Sequence, residues 1–126
     1  MTTRVLLAED DRFLRKAAEA MLRRQGFVVR VAVDGEEALA AVQHECPDLV
    51  LLDLIMPKIQ GFQVLESLKA DPATAHVPVI VLSNLGQDAD VARAMAGGAA
   101  AYFIKSNTSL ANLVEQVRMV LAQRAA

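Results

Sequence analysis

The chain has 126 residues, enough for one hydrophobic core of ordinary domain size. Apolar residues make up 54% with five aromatics and no Trp, so the core is aliphatic, and a net charge of −2 leaves no electrostatic footprint for nucleic acid or an anionic membrane. No apolar run approaches the roughly 20 residues of a membrane span, the N-terminal MTTRVLLAEDD turns acidic too soon for a signal peptide, and Cys46 is a lone cysteine, so a cytoplasmic location is expected.

Two periodicities alternate along the chain. The first apolar run, RVLLA (4–8), ends in the acids Glu9, Asp10 and Asp11. A helix follows, with Leu14, Ala17, Ala18, Met21 and Leu22 on one stripe and Gly26 where a C-terminal cap is wanted. Asp10 and Asp11 both suit the N-cap of that helix, and Asp11 is read as the cap. The second run, FVVRVA (27–32), leads to Asp34 with Glu37 three residues on, a capping arrangement for the second helix. Cys46, before Pro47, is read as a small packing residue. The third run, DLVLL (48–52), ends abruptly in Asp53, and Leu65 and Leu68 belong to a helix opened near Gly61. The fourth, PVIVL (78–82), precedes Ser83 and Asn84, with a helix over 88–96 closed by Gly97 or Gly98. The fifth, AAYFI (100–104), precedes Lys105. In the last helix Ser109 is the cap, and Leu110, Leu113, Val114, Val117, Val120 and Leu121 trace one face. His44 and His76 lack the partners that catalysis or metal binding requires and are read as surface residues.

Five strand–helix pairs with continuous apolar strands predict an α/β fold. Such strands are buried on both faces of a parallel sheet, built with right-handed crossovers. The expected architecture is a three-layer doubly wound, flavodoxin-like sheet of order 2-1-3-4-5 with five helices, a single domain over 1–126. In that order the first, third, fourth and fifth strands are contiguous. Glu9, Asp10, Asp53, Ser83 and Lys105 then converge at their carboxyl ends, where ligands of such sheets bind.

Several carboxylates within a few ångströms cannot all stay ionised without a counter-charge. Oxygen donors without His or Cys favour a hard cation, and Mg²⁺ is typically held by one or two carboxylates plus phosphate oxygens. Lys105 adds a charge suited to phosphate and Ser83 a hydroxyl donor. A carboxylate can itself form an aspartyl phosphate. Asp53 thus reads as a phosphate acceptor, made tolerable beside the core by the metal.

At this point the whole chain resembles the receiver domain of two-component response regulators, of the chemotaxis-regulator kind. The likeness rests on AEDD after the first strand, LLDLIMPKIQG with Pro57 and Gly61, Ser83, and GAAAYFIK, with Ser83 thirty and Lys105 fifty-two residues after Asp53. The resemblance implies Asp53 as the phosphorylated residue and part of the Mg²⁺ site, with Asp10 binding the metal directly, Glu9 acting through a water and the Ile55 carbonyl as the backbone ligand. It implies Ser83 as the switch hydroxyl, Lys105 as the phosphate-pairing lysine and Tyr102 as the aromatic that changes rotamer on activation. Two positions depart from the family pattern. Ser106 stands where the family has a cis-bonded Pro, and a cis bond to a non-proline residue costs about 3–4 kcal/mol, so the Lys105–Ser106 loop is expected to be trans, with the lysine held differently. Asn84 replaces a small residue, and its bulk narrows access to the phosphate.

The resemblance implies a switch rather than an enzyme with a free metabolite as substrate. The phosphoryl donor would be a sensor histidine kinase or a histidine phosphotransfer protein. The output would reach a separate effector protein through the face of the fourth helix, fifth strand and fifth helix, from a monomer without direct nucleic-acid contact. A hydrolase of the haloacid-dehalogenase type would place its nucleophile after the first strand in a D-x-D pattern, which Glu9-Asp10-Asp11-Arg12 does not supply. A flavin module would want Ser, Thr and Gly there instead of three acids. A receiver that serves only for docking would not need the acids, Ser83 and Lys105. Met1 reads as a native start, and Arg124-Ala125-Ala126 as either a natural end or a cut within a longer chain.

Overall fold

Strands and helices alternate: β1 (Arg4–Ala8), α1 (Arg12–Arg24), β2 (Val28–Ala32), α2 (Gly35–His44), β3 (Leu49–Leu52), α3 (Gly61–Ala70), β4 (Val79–Ser83), α4 (Asp88–Ala96), β5 (Ala101–Ile104) and α5 (Leu110–Ala125). A 3-10 turn, Lys105–Asn107, joins β5 to α5. This computed structural model describes residues 2–125, so Met1 and Ala126, at the ends of the expected domain, lie outside the described residues. The strands form one sheet of order β2-β1-β3-β4-β5, as expected, and every pairing is parallel.

The apolar runs are continuous because successive side chains feed opposite cores. Leu6, Ala8, Val50, Leu52, Val79 and Val81 point to the face covered by α2, α3 and α4, where Ala38, Val42, Phe62, Val64, Leu65, Leu68 and Ala94 are buried. Val5, Leu7, Leu49, Leu51, Ile80 and Leu82 point to the other face, against Ala18 and Leu22 of α1 and Leu113, Val114, Val117 and Val120 of α5. The edge strands differ from this pattern: β2 exposes Val28, Arg30 and Val31, and all of β5 is half-buried. Ala17, expected on the buried stripe of α1, is exposed.

Caps set the helix ends. Asp11 Oδ1 accepts from the N–H groups of Phe13 and Leu14 at 2.9 and 3.2 Å, and Asp34 Oδ1 from that of Glu37 at 2.8 Å. Ser109 Oγ accepts from the Asn112 N–H at 3.1 Å. Helix α1 closes through Gly26, at φ +94°. The N–H of Gly26 donates to Arg23 O and that of Phe27 to Leu22 O, the paired bonds of a Schellman motif. Phe27 is therefore spent on the helix end, which is why β2 starts at Val28. Cys46 corrects the sequence reading: it is exposed, in the loop after α2, and Pro47 takes the buried position beside it. His44 and His76 are exposed as expected.

Candidate functional site

The strand register builds the site. Ala8 pairs with Leu52, and β1 and β3 each continue one residue further in extended bonding, Glu9 N–H to Ala32 O of β2 at 2.9 Å and Asp53 N–H to Ala8 O of β1 at 3.0 Å. Glu9 and Asp53 consequently leave the sheet side by side, with 2% and 4% of their surface exposed. Asp11 turns away to cap α1, which leaves the exposed Asp10 beside the two buried acids. One carboxylate oxygen from each of Glu9, Asp10 and Asp53 lies within 4.8 Å of the others. Three oxygen donors at that separation could hold a hard divalent cation.

Lys105 enters from the end of β5. Its Nζ lies 2.7 Å from Glu9 Oε1 and 2.8 Å from Asp53 Oδ2, so a single ammonium bridges both buried acids. The peptide bonds of the described residues, Lys105–Ser106 included, are trans, and the lysine reaches the acids nonetheless. One positive charge does not balance the cluster. Burial, opposed by the Lys105 hydrogen bond and reinforced by the Asp53 charge, pushes Glu9 up to about 7. Burial alone would lower the Lys105 ammonium, but its bonds to Asp53 and Glu9 outweigh it and hold the group above its ordinary value. The pocket is short of positive charge, as a cation-binding site would be.

The remaining predicted residues fall into two groups. Ile55 is bound directly to the acceptor candidate: its N–H donates to Asp53 Oδ1 at 3.1 Å. Gly61, where α3 starts, passes so close that a side chain there would meet Asp53 O at 2.4 Å. Asn84 is exposed and lines the open depression together with Asp10, Asp11, Asp53, Ile55 and Lys105. Ser83 and Tyr102 meet at a residue the sequence reading passed over. The fully buried Ser83 accepts from the Leu85 N–H at 3.2 Å, while the Tyr102 hydroxyl donates to Leu85 O. Burial, with the Asp90 charge adding, raises the Tyr102 hydroxyl above its ordinary range. Leu85 takes part through its backbone, so no side-chain signal marked it. Arg15 was missed as well: its guanidinium donates to the carbonyls of Glu9 and Asp10 at 3.1 and 3.2 Å and fixes the acidic turn.

The sequence pattern of the response regulator receiver domain matches residues 5–118. The chain belongs to this family. A Gliding motility regulatory protein of Myxococcus xanthus is 40% identical to this receiver domain over 90% of the chain. The Transcriptional activator protein PfeR of Pseudomonas aeruginosa is 41% identical over 96% of it. The chain spans only 15% and 42% of the length of these two relatives. The crystal structure of a CheY-like response regulator receiver domain protein from Methanospirillum hungatei superposes with a TM-score of 0.92, covering 99% of this chain and 98% of that one. At 22% identity that likeness speaks for the fold alone. Receiver domains are the phospho-accepting signalling switches of two-component regulation, a family distinct from metabolic enzymes. Among the described residues of this one, no helix is long and apolar enough to cross a membrane.

Proposed function

We propose that this chain is a cytoplasmic phosphorylation switch. It takes a phosphoryl group from a phosphohistidine of a sensor histidine kinase or phosphotransfer protein onto Asp53, in a Mg²⁺-dependent reaction, and then controls a partner protein. The observation that carries this reading is Lys105 Nζ bridging Glu9 and Asp53 at 2.7 and 2.8 Å beside a three-carboxylate cluster. An Asp53 carboxylate oxygen attacks phosphorus, a P–O bond forms, the P–N bond breaks, and its electron pair stays on the histidine nitrogen. Mg²⁺, for which Glu9, Asp10, Asp53 and the Ile55 carbonyl are the proposed ligands, would neutralise charge on the transferring group when bound. Lys105 adds a second, fixed charge, and the Ile55 N–H holds Asp53 Oδ1 so that the carboxylate is oriented before the phosphoryl arrives. The test is intact mass after incubation with acetyl phosphate and Mg²⁺: a gain of about 80 Da is expected, and no gain would overturn the reading.

Ser83 and Tyr102 supply the switch in this proposal. If the Ser83 hydroxyl turns to donate to a phosphoryl oxygen, the Leu85 N–H loses the acceptor it has at 3.2 Å. The Leu85 carbonyl, bonded to Tyr102, then moves with it, so the loop before α4 and the ring of Tyr102 change together.

Lys105→Ala should slow phosphorylation by acetyl phosphate roughly tenfold or more. It should also destabilise the metal-free protein, because two buried carboxylates lose their counter-ion. Mg²⁺ should recover part of that stability. Wild-type rate and melting temperature would remove Lys105 from the site.

For the output we propose a monomer that presents α4, β5 and α5 to a separate protein. A dimer across this face would need cross-interface ion pairs, yet residues 97–101 before Tyr102 are uncharged. Two bases of these helices are engaged within the chain. Arg93 lies 3.9 Å over the Phe62 ring, and Arg118 donates to Gln25 Oε1 at 2.7 Å. Sedimentation with Mg²⁺ and beryllofluoride, a stable mimic of the phosphoryl group, should return a monomer. A dimer at low micromolar concentration, abolished by Ala101→Asp, would overturn this.

A further inference from the structure

The loop from Asp53 to Gly61 carries Ile55 over the acidic pocket, and its outer bend is held by a helix that contributes nothing to the site itself. Lys58, at the tip of the bend, is the one non-glycine residue with positive φ, +67°, among the described residues. An L-residue disfavours that conformation, so its surroundings must hold it there. Those surroundings are the first residues of α2. Lys58 Nζ lies 3.5 Å from Asp34 Oδ2 and 3.9 Å from Glu36 Oε2. Asp34 is buried and its two oxygens divide the work: Oδ1 caps α2 and Oδ2 faces the lysine. Between them Gly35 approaches so closely that a Cβ would stand 2.0 Å from Ile59 O, and its N–H donates to Pro57 O at 3.4 Å. Residues 34–36 thus grip residues 57–59 at three consecutive positions.

We infer that this contact is a latch, with Lys58 a positioning residue for the chemistry at Asp53: the start of α2 fixes the bend, and the bend fixes the backbone of Ile55 against Asp53 Oδ1. The inference rests on the proposed Mg²⁺-dependent phosphorylation and deepens it. Lys58 never touches the acidic pocket. Its partners are Asp34 and Glu36, and its side chain is 59% exposed. Asp34 is buried, but the lysine end of the contact lies in solvent, where an ion pair adds little to global stability. Its loss should therefore appear in metal binding and in phosphorylation rate while the melting temperature stays near that of wild type.

Two variants separate the latch from backbone strain. Lys58→Gly removes the side chain and suits positive φ, whereas Lys58→Gln keeps the backbone preference of an L-residue and removes only the charge. Mg²⁺ affinity by titration calorimetry and acetyl phosphate rate at saturating Mg²⁺ should both fall about two- to fivefold in each variant. The melting temperature of Lys58→Gly without metal should hold or rise. Asp34→Asn keeps a capping side chain and removes the charge partner. Combined with Lys58→Gln, it should do no more harm than the worse single change, as expected for two ends of one contact. Wild type that binds Mg²⁺ and is phosphorylated, beside Lys58 variants that match it in both, overturns the latch alone. Wild type that does neither overturns the latch together with the function it rests on. Variants that lose melting temperature with metal affinity and rate unchanged make Lys58 a structural residue and overturn its positioning role.

Discussion

Asp53→Ala is expected to abolish the gain of mass from acetyl phosphate and, at the same time, to make the metal-free protein more stable. The two effects have one origin. Asp53 sits 4% exposed beside Glu9, which is 2% exposed, and Asp10, with Lys105 as the ammonium bridging the buried pair. A nucleophile needs its charged oxygen available, and that charge is what the fold tolerates poorly without a cation. Removing it leaves Lys105 paired with Glu9 alone and takes one repelling carboxylate out of the cluster. Stabilisation of about 1 kcal/mol, or roughly 3–6 °C, is the scale expected for relief of that size in a domain of this length. Stabilisation by Mg²⁺ should weaken in the same variant, because a ligand raises stability only through affinity for the folded state. Intact mass and thermal melts with and without millimolar Mg²⁺ check all three outcomes. A variant that still gains about 80 Da moves the acceptor elsewhere. One that melts lower than wild type without metal removes the repulsion argument.

Much of this arrangement was legible in the sequence, for identifiable physical reasons. Buried parallel strands print as continuous apolar runs, so the polar residues that end β1, β3, β4 and β5 stood out against them and could be collected at one edge. Asp11 and Asp34 were legible as caps because capping is local, set by residues two or three positions away. What stayed hidden was carried by backbone or by long-range approach. Leu85 acts through its N–H and carbonyl, which every residue has. The latch of Lys58 to Asp34 spans 24 positions and depends on the positive φ of Lys58, for which the sequence carries no mark. Cys46 was misread because the chain turns out of the core one residue before Pro47 turns in, a boundary that periodicity cannot resolve. The Ser106 position shows the opposite case. The energetic cost of a non-proline cis bond predicted a trans peptide, and it is trans, with Lys105 still reaching both acids.

The pH dependence of stability should reverse sign with Mg²⁺, and Glu9 is the group that sets it. Burial, with the Asp53 charge adding and Lys105 opposing, pushes Glu9 from 4.5 up to about 7 in the folded chain. A carboxyl raised on folding favours the protonated form in the folded state. Its contribution to stability is complete below pH 4.5 and is lost as pH rises through about 7. Neither of the other two groups that face Glu9 or cap a neighbouring helix with a shifted value competes in this window. Lys105 is held above its ordinary value and stays charged, while Asp34 is lowered, chiefly by the Glu37 N–H, so its contribution is lost only on acidification below that range. Metal-free protein in chelator should therefore melt at a lower temperature at pH 8 than at pH 5.5. In Glu9→Gln, which cannot titrate, that fall should largely disappear. With Mg²⁺ the slope should invert, because a cation binds the ionised carboxylates, and its stabilisation grows as Glu9 loses its proton. Thermal melts of the two proteins across that range, each with chelator and with Mg²⁺, decide the matter. Equal slopes for wild type and Glu9→Gln in chelator would mean that Glu9 is ionised in the folded protein throughout. The excess negative charge would then have to be compensated by Lys105 alone.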